Sequence, residues 1–140
     1  MAIAPEPTYG VVLEAEARQG DYIPPAAHDA ALSQRVSEGI AHLEQAGARK
    51  VYLACMGPTF RETDLAALQD YFGHSRLAGI TLFSAAALLR IVEESIRTRA
   101  SFRLSQFAAR LAGYNLVVDA QAVDAWFREW ALLQAARAGA

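Results

Sequence analysis

A chain of 140 residues that is 54% hydrophobic and 20% charged, with five prolines and nine glycines, has the length and composition of one globular domain. Disorder, a collagen-like repeat and a low-complexity linker are excluded; so are an internal disulfide and a cysteine-rich zinc site, because Cys55 is the only cysteine. No apolar run approaches the ~20 residues of a membrane span, so the expectation is a soluble cytoplasmic domain with no membrane partner. The net charge of −2 hides an asymmetry: residues 1–45 carry seven acids against Arg18 and Arg35, whereas residues 46–110 carry nine basic residues against five acids.

Residues 1–8, with two prolines and no periodicity, read as an irregular lead-in. From Tyr9 to Ala17 the residues alternate as a strand does, with Val11, Leu13, Ala15 and Ala17 on one face and Val12, Glu14 and Glu16 on the other. Gly20 and Asp21 break the strand, and Pro24-Pro25 prepare a helix from about Ala26 to Gln45, with Leu32, Val36, Ile40 and Leu43 at helical spacing and Gly47 as its stop. Lys50–Cys55 is short and apolar enough for a buried strand; Thr63–Phe72 reads as a helix with Leu65, Leu68 and Phe72 in phase and Gly73 behind it. Ala78–Phe83 is a further strand. Ser84 then caps a helix carrying Leu88, Val92 and Ile96, with Arg90–Glu94 and Glu93–Arg97 pairs at i, i+4. A helix from Ser101 through Leu104, Phe107 and Leu111, a short strand Tyr114–Val118, and a last helix capped by Asp119 complete the chain. In that last helix Val123, Trp126, Phe127, Trp130 and Leu133 form the apolar face. The alternation predicts an α/β domain with helices covering a mixed sheet.

The acidic pair is the first residue pattern with chemical content. Residues i and i+2 of a strand project the same way, so the Glu14 and Glu16 carboxylates lie within about 7 Å of each other. Carboxylates so close repel unless one is protonated or a cation lies between them, and hard divalent cations favour such oxygens. A solvated strand face is the alternative. His28, Arg35 and His42 recur every seven residues along one edge of the following helix, either as a polar surface stripe or as support for a site. Arg97, Arg99, Arg103 and Arg110 are the densest basic stretch; Arg103 and Arg110 fall opposite Leu104 and Phe107, where they meet backbone phosphates or solvent. Cys55 reads as a small buried hydrophobe, and Trp126 and Trp130 as a packing seam. There is no Walker loop, no dinucleotide-binding glycine pattern and no Gly-x-Ser-x-Gly elbow.

The stretch YGVVLEAEARQGDYIPP, followed by a helix and KVYLACMG, resembles the cleavage domain of FokI-type (type IIS) restriction endonucleases, within the PD-(D/E)xK nucleases. Tyr9, Gly10, Val11, Gly20, Tyr22 and Pro25 match that family's pattern, AGITLFSAAALL is similar to its Gly-apolar-Ser-x-x-x-Leu-Leu step, and the likeness thins after about residue 118. The resemblance implies a restriction-endonuclease-like fold over residues 1–118, with residues 119–140 a C-terminal helix packed on it. It also implies hydrolysis of phosphodiester bonds in double-stranded DNA with Mg²⁺ or Mn²⁺, leaving a 5′-phosphate.

Carried over by position, Glu14 falls on the second metal-binding acid and Glu16 on the family's lysine, so Glu-x-Glu is a departure. Lys50, which opens another strand, is no substitute. The family's first acid lies further upstream of Glu14 than this chain extends, which reads as a fragment or as a fold kept without a complete site. Glu6 is the candidate for that acid, with seven residues between it and Glu14. His28 is the helix residue nearest the expected site, and Arg35, Arg103 and Arg110 are the candidate phosphate contacts. The family's dimerising acidic–basic pair, four residues apart, is not reproduced, since Asp29 and Arg35 stand six apart. Sequence recognition would come from a separate domain or subunit, and a homodimer is the family's way of cutting both strands. The competing readings are a catalytically inactive nuclease-fold scaffold or interaction domain, and a small-molecule-binding α/β domain.

Overall fold

The structure, a computed structural model, describes residues 2–6, 9–15, 30–98 and 116–139. Among them the elements run β1 (Ala2–Glu6), β2 (Tyr9–Ala15), α1 (Ala30–Gln45), β3 (Lys50–Gly57), α2 (Glu62–Tyr71), β4 (Leu77–Ser84), α3 (Ala85–Arg97), β5 (Val117–Val118) and α4 (Ala120–Ala138). The strands lie side by side in chain order, β2 to β5 parallel and β1 antiparallel on the outer edge of β2. This is a mixed α/β fold with helices on both faces of a central sheet, as the alternation of strand and helix patterns predicts.

Two-residue alternation sorts the core. Val12, Leu53, Cys55, Ile80 and Leu82 pack on one face with Leu32, Val36, Ile40 and Leu43 of α1 and Leu65 and Leu68 of α2. Their neighbours Val11, Ala54 and Phe83 point the other way, to Ala87 and Ile91 of α3 and Val123, Phe127 and Trp130 of α4. Parallel strands covered on both faces are apolar throughout rather than alternating, which is why Lys50–Gly57 and Leu77–Ser84 read as continuous runs. Trp126 meets Phe83 edge-on at 6.1 Å, fixing α4 across the sheet.

The caps behave as their residue types dictate. Ser84 Oγ accepts from the Ala87 N–H at 3.1 Å, and Asp119 Oδ1 from the Ala122 N–H at 2.9 Å. Gly47, past the end of α1, has φ of 99°, a conformation a side chain strains. The buried carboxylate Asp64 accepts from the Arg61 N–H at 2.7 Å, closing the first turn of α2.

Four expectations are corrected. Residues 2–6 are a strand rather than an irregular lead-in; Pro5 forfeits a ladder donor, which an edge strand tolerates. On α3 the buried residues are Ala87, Ile91 and Glu94, while Val92 and Ile96 of the expected core stripe are exposed. Small Ala87 lets the helix seat closely, and that turns the larger residues outward. The charge pairs on α3 form at i, i+3, Arg90 with Glu93 at 3.5 Å and Arg97 with Glu94, and Arg90 also reaches Asp124 on α4 at 3.3 Å. The Glu94 carboxylate raises the Arg97 pKa. Leu133, expected on the apolar face of the last helix, is exposed too. The helix predicted from Ser101 and the strand start at Tyr114 lie outside the described residues.

Candidate functional site

The seam between β2 and α1 builds the site. A Cβ on Gly10 would come within 2.7 Å of Leu43 Cδ2, and one on Gly39 within 2.7 Å of Val12 Cγ2. These two glycines let helix and strand approach more closely than any side chain permits. They also set the register. α1 runs back along β2, so moving two residues up the strand (~6.6 Å) matches moving four residues back along the helix (~6 Å). After Gly10 with Leu43 and Val12 with Gly39 comes Glu14 with Arg35.

Arg35 Nε donates to both carboxylate oxygens of Glu14, at 3.1 Å to Oε2 and 3.3 Å to Oε1. The Glu14 side chain keeps only 15% of its accessible surface, against 52% for Arg35. One partner is thus held in the seam and the other reaches in from solvent. An ion pair of this exposure contributes about 1 kcal/mol or less. Glu14 pairs with Cys55 across the sheet, near the carboxyl end of β2. That edge of a parallel sheet is where α/β folds take ligands, because the strands end there and their loops diverge. At the carboxyl ends of the neighbouring strands, Pro58, Thr59, Phe60, Ser84, Asp119 and Gln121 border a cavity of about 380 Å³.

The remaining candidates divide. β1 pairs Glu6 with Tyr9 and Ala2 with Val12, which sets Glu6 about five strand residues, ~17 Å, from Glu14 along the sheet. The structure does not bring those two together; the end of β1 nearest Glu14 carries Ala2 and Ile3, with no carboxylate. Lys50 is paired with Tyr9 at that same far end, so it stays apart from Glu14 as its position in another strand implies. Cys55 is buried in the core, as expected. Glu16, His28, Arg103 and Arg110 lie outside the described residues.

Carboxylate oxygens are the right donors for Mg²⁺, but the described residues supply one such group here, and both of its oxygens face a guanidinium. Among the described residues no cluster of three or more His, Cys, Asp or Glu is arranged to hold a metal ion. They do not by themselves fit a magnesium site, and no chemical step is derived through one. What the arrangement offers is an exposed guanidinium anchored on a sheltered carboxylate. The signal for it was in the sequence: glycines at 10 and 39 imply the close seam, and the seam's register pairs 14 with 35.

The fold and site thus define an α/β domain with a charged seam at the carboxyl edge of its parallel strands. Compared with protein-family models, curated proteins and solved structures, the chain matches none of them. Among the described residues no helix is long and apolar enough to cross a membrane.

Proposed function

We propose that this chain is a DNA cleavage module of the restriction-endonuclease-like kind, hydrolysing phosphodiester bonds in duplex DNA with Mg²⁺ or Mn²⁺. The single observation that carries the reading is Glu14 standing largely sheltered near the carboxyl end of β2 with Arg35 beside it. It is supported by the order of elements: a strand carrying Glu14 near its end, a long helix, then a buried strand, a helix and a further strand, as in the family the sequence resembles. In this reading Glu14 and Glu16 are the acidic pair, His28 assists the reaction, and Arg35, Arg103 and Arg110 contact backbone phosphates. Recognition comes from a separate domain or subunit, and a homodimer cuts both strands. Incubation of supercoiled plasmid with the protein and Mg²⁺ or Mn²⁺, beside Glu14→Gln, tests it: metal-dependent nicking lost in the variant is the expected result.

A second reading, a catalytically inactive nuclease-fold scaffold, is favoured by the one fact that Glu14 is already satisfied by Arg35. It predicts that wild type and Glu14→Gln both leave plasmid intact while the fold is retained.

A further inference from the structure

Large apolar side chains left in water collect on one side of the molecule. Six are exposed among the described residues, and five of them, Leu89, Val92, Ile96, Leu132 and Leu133, belong to α3 and α4; none belongs to α1 or α2. On α3 a spacing of three and four residues stacks Leu89, Val92 and Ile96 into one ridge, turned away from the buried Ala87 and Ile91 and hence from the sheet. α3 and α4 both start at the carboxyl ends of their parallel strands and run the same way, and the Arg90–Asp124 pair at 3.3 Å fixes their stagger. Ile96 stands six residues beyond Arg90, ~9 Å, and Leu132 eight residues beyond Asp124, ~12 Å, so the two sit at nearly the same level. The groove between the helices is lined by Arg90, Arg97 and Arg128 and by Glu93, Glu94 and Asp124, three charges of each sign. Arg90 pairs with Glu93 and Asp124, and Arg97 with Glu94.

A groove of balanced charge selects neither a DNA backbone nor a strongly charged polypeptide, since each needs an excess of the opposite sign. It suits a copy of itself. A two-fold interface sets one surface against the same surface, so any excess charge would meet its like, and a balanced face escapes that repulsion. Two helices ~20 and ~28 Å long, lying ~10 Å apart, cover roughly 400–500 Å² in plan, on the scale of the ~800 Å² of uneven accessible surface that each partner of a specific dimer buries.

We propose that a second copy of this chain docks on the α3–α4 face, the two α3 helices antiparallel, with Val92 at the two-fold axis and Leu89 against the partner's Ile96. The spacing suits that arrangement, because Leu89 lies three residues before Val92 and Ile96 four residues after it. The proposal goes beyond the nuclease reading, which asks for a homodimer and gives it no surface, and it stands without that reading.

The test is sedimentation velocity of the full chain, without DNA or metal, up to ~100 μM, above the micromolar end of the affinities that interfaces of this size show. Wild type is expected to sediment as a dimer. Val92→Glu and Val92→Lys each set like charges together at the axis and should weaken self-association on the order of a hundredfold. An equal mixture of the two variants should recover the dimer, since each charge then meets its opposite, a rescue that a folding defect would not give. Val92 is already exposed, so circular dichroism and thermal unfolding of both variants should match wild type. Ser37→Glu, at an exposed position of α1 on the other face of the sheet, should leave the dimer intact. A wild-type monomer at every concentration would overturn the proposal, whatever else then covers the ridge. So would a dimer that survives both Val92 variants, which would place the interface elsewhere, or variants that fail to re-form a dimer when mixed.

Discussion

Gly39 sits in the middle of α1, where helix propensity alone makes alanine the better residue by about 1 kcal/mol. The structure predicts the reverse. A Cβ at this position would stand 2.7 Å from Val12 Cγ2 and 3.2 Å from Cγ1, and Val12 is buried, β-branched and confined to few rotamers. Overpacking of this kind costs about 1–3 kcal/mol, so Gly39→Ala should be destabilising by about 1 kcal/mol net, near 4 °C in Tm for a domain of this size. Val12→Ala removes both colliding methyl groups and leaves Val12 Cβ at 3.6 Å, an ordinary contact. That variant alone loses about 2 kcal/mol of burial and packing. In its background, Gly39→Ala should instead stabilise by about 1 kcal/mol, a coupling of about 2 kcal/mol between the two positions. Urea unfolding followed by the fluorescence of Trp126 and Trp130 gives all four stabilities, provided the slopes agree. A Gly39→Ala protein as stable as wild type or more so, with the same effect in both backgrounds, would refute the seam and with it the register that sets Arg35 on Glu14.

The remaining predictions follow from single groups. Ser84→Ala removes the oxygen that accepts from the Ala87 N–H and should lower stability by about 1 kcal/mol, whereas Ser84→Asp should retain most of it; thermal unfolding decides. Cys55 is 3% exposed, so a thiol reagent such as a disulfide dye should leave the native protein unlabelled and react fully in urea; rapid native labelling would contradict its place in the core.

Periodicity was a reliable guide in α1 and α2. The expected positions Leu32, Val36, Ile40 and Leu43 are all buried in α1, and so are Leu65, Leu68 and Phe72 in and just after α2. Ser84 and Asp119 were legible as caps because a side-chain oxygen before a helix has one obvious use. β1 was not legible: Ala2–Glu6 has no apolar alternation, and it is a strand by its backbone pairing with β2. α3 misled because Val92 and Ile96 share a helix face with Leu88, yet the small residue Ala87 makes the closer contact with the sheet. For the site, Glu14 was found from its oddness on an apolar strand and Arg35 from its place on the helix. Their pairing was not seen, because it depends on how two glycines let α1 slide against β2. Glu6 shares its letters with a Pro-acid motif, but the register of an antiparallel pair carries it away from Glu14 along the sheet.

The measurement that bears most directly on the proposed function is the conversion of supercoiled plasmid to open-circular and linear forms over time, with Mg²⁺, with Mn²⁺ and with EDTA, for wild type and Glu14→Gln. The account predicts nicking by wild type with either cation, none in EDTA, loss of activity in Glu14→Gln, and 5′-phosphate ends that ligate. Plasmid left intact by folded wild-type protein at high concentration with both cations would contradict the nuclease reading, and so would nicking that survives Glu14→Gln unchanged.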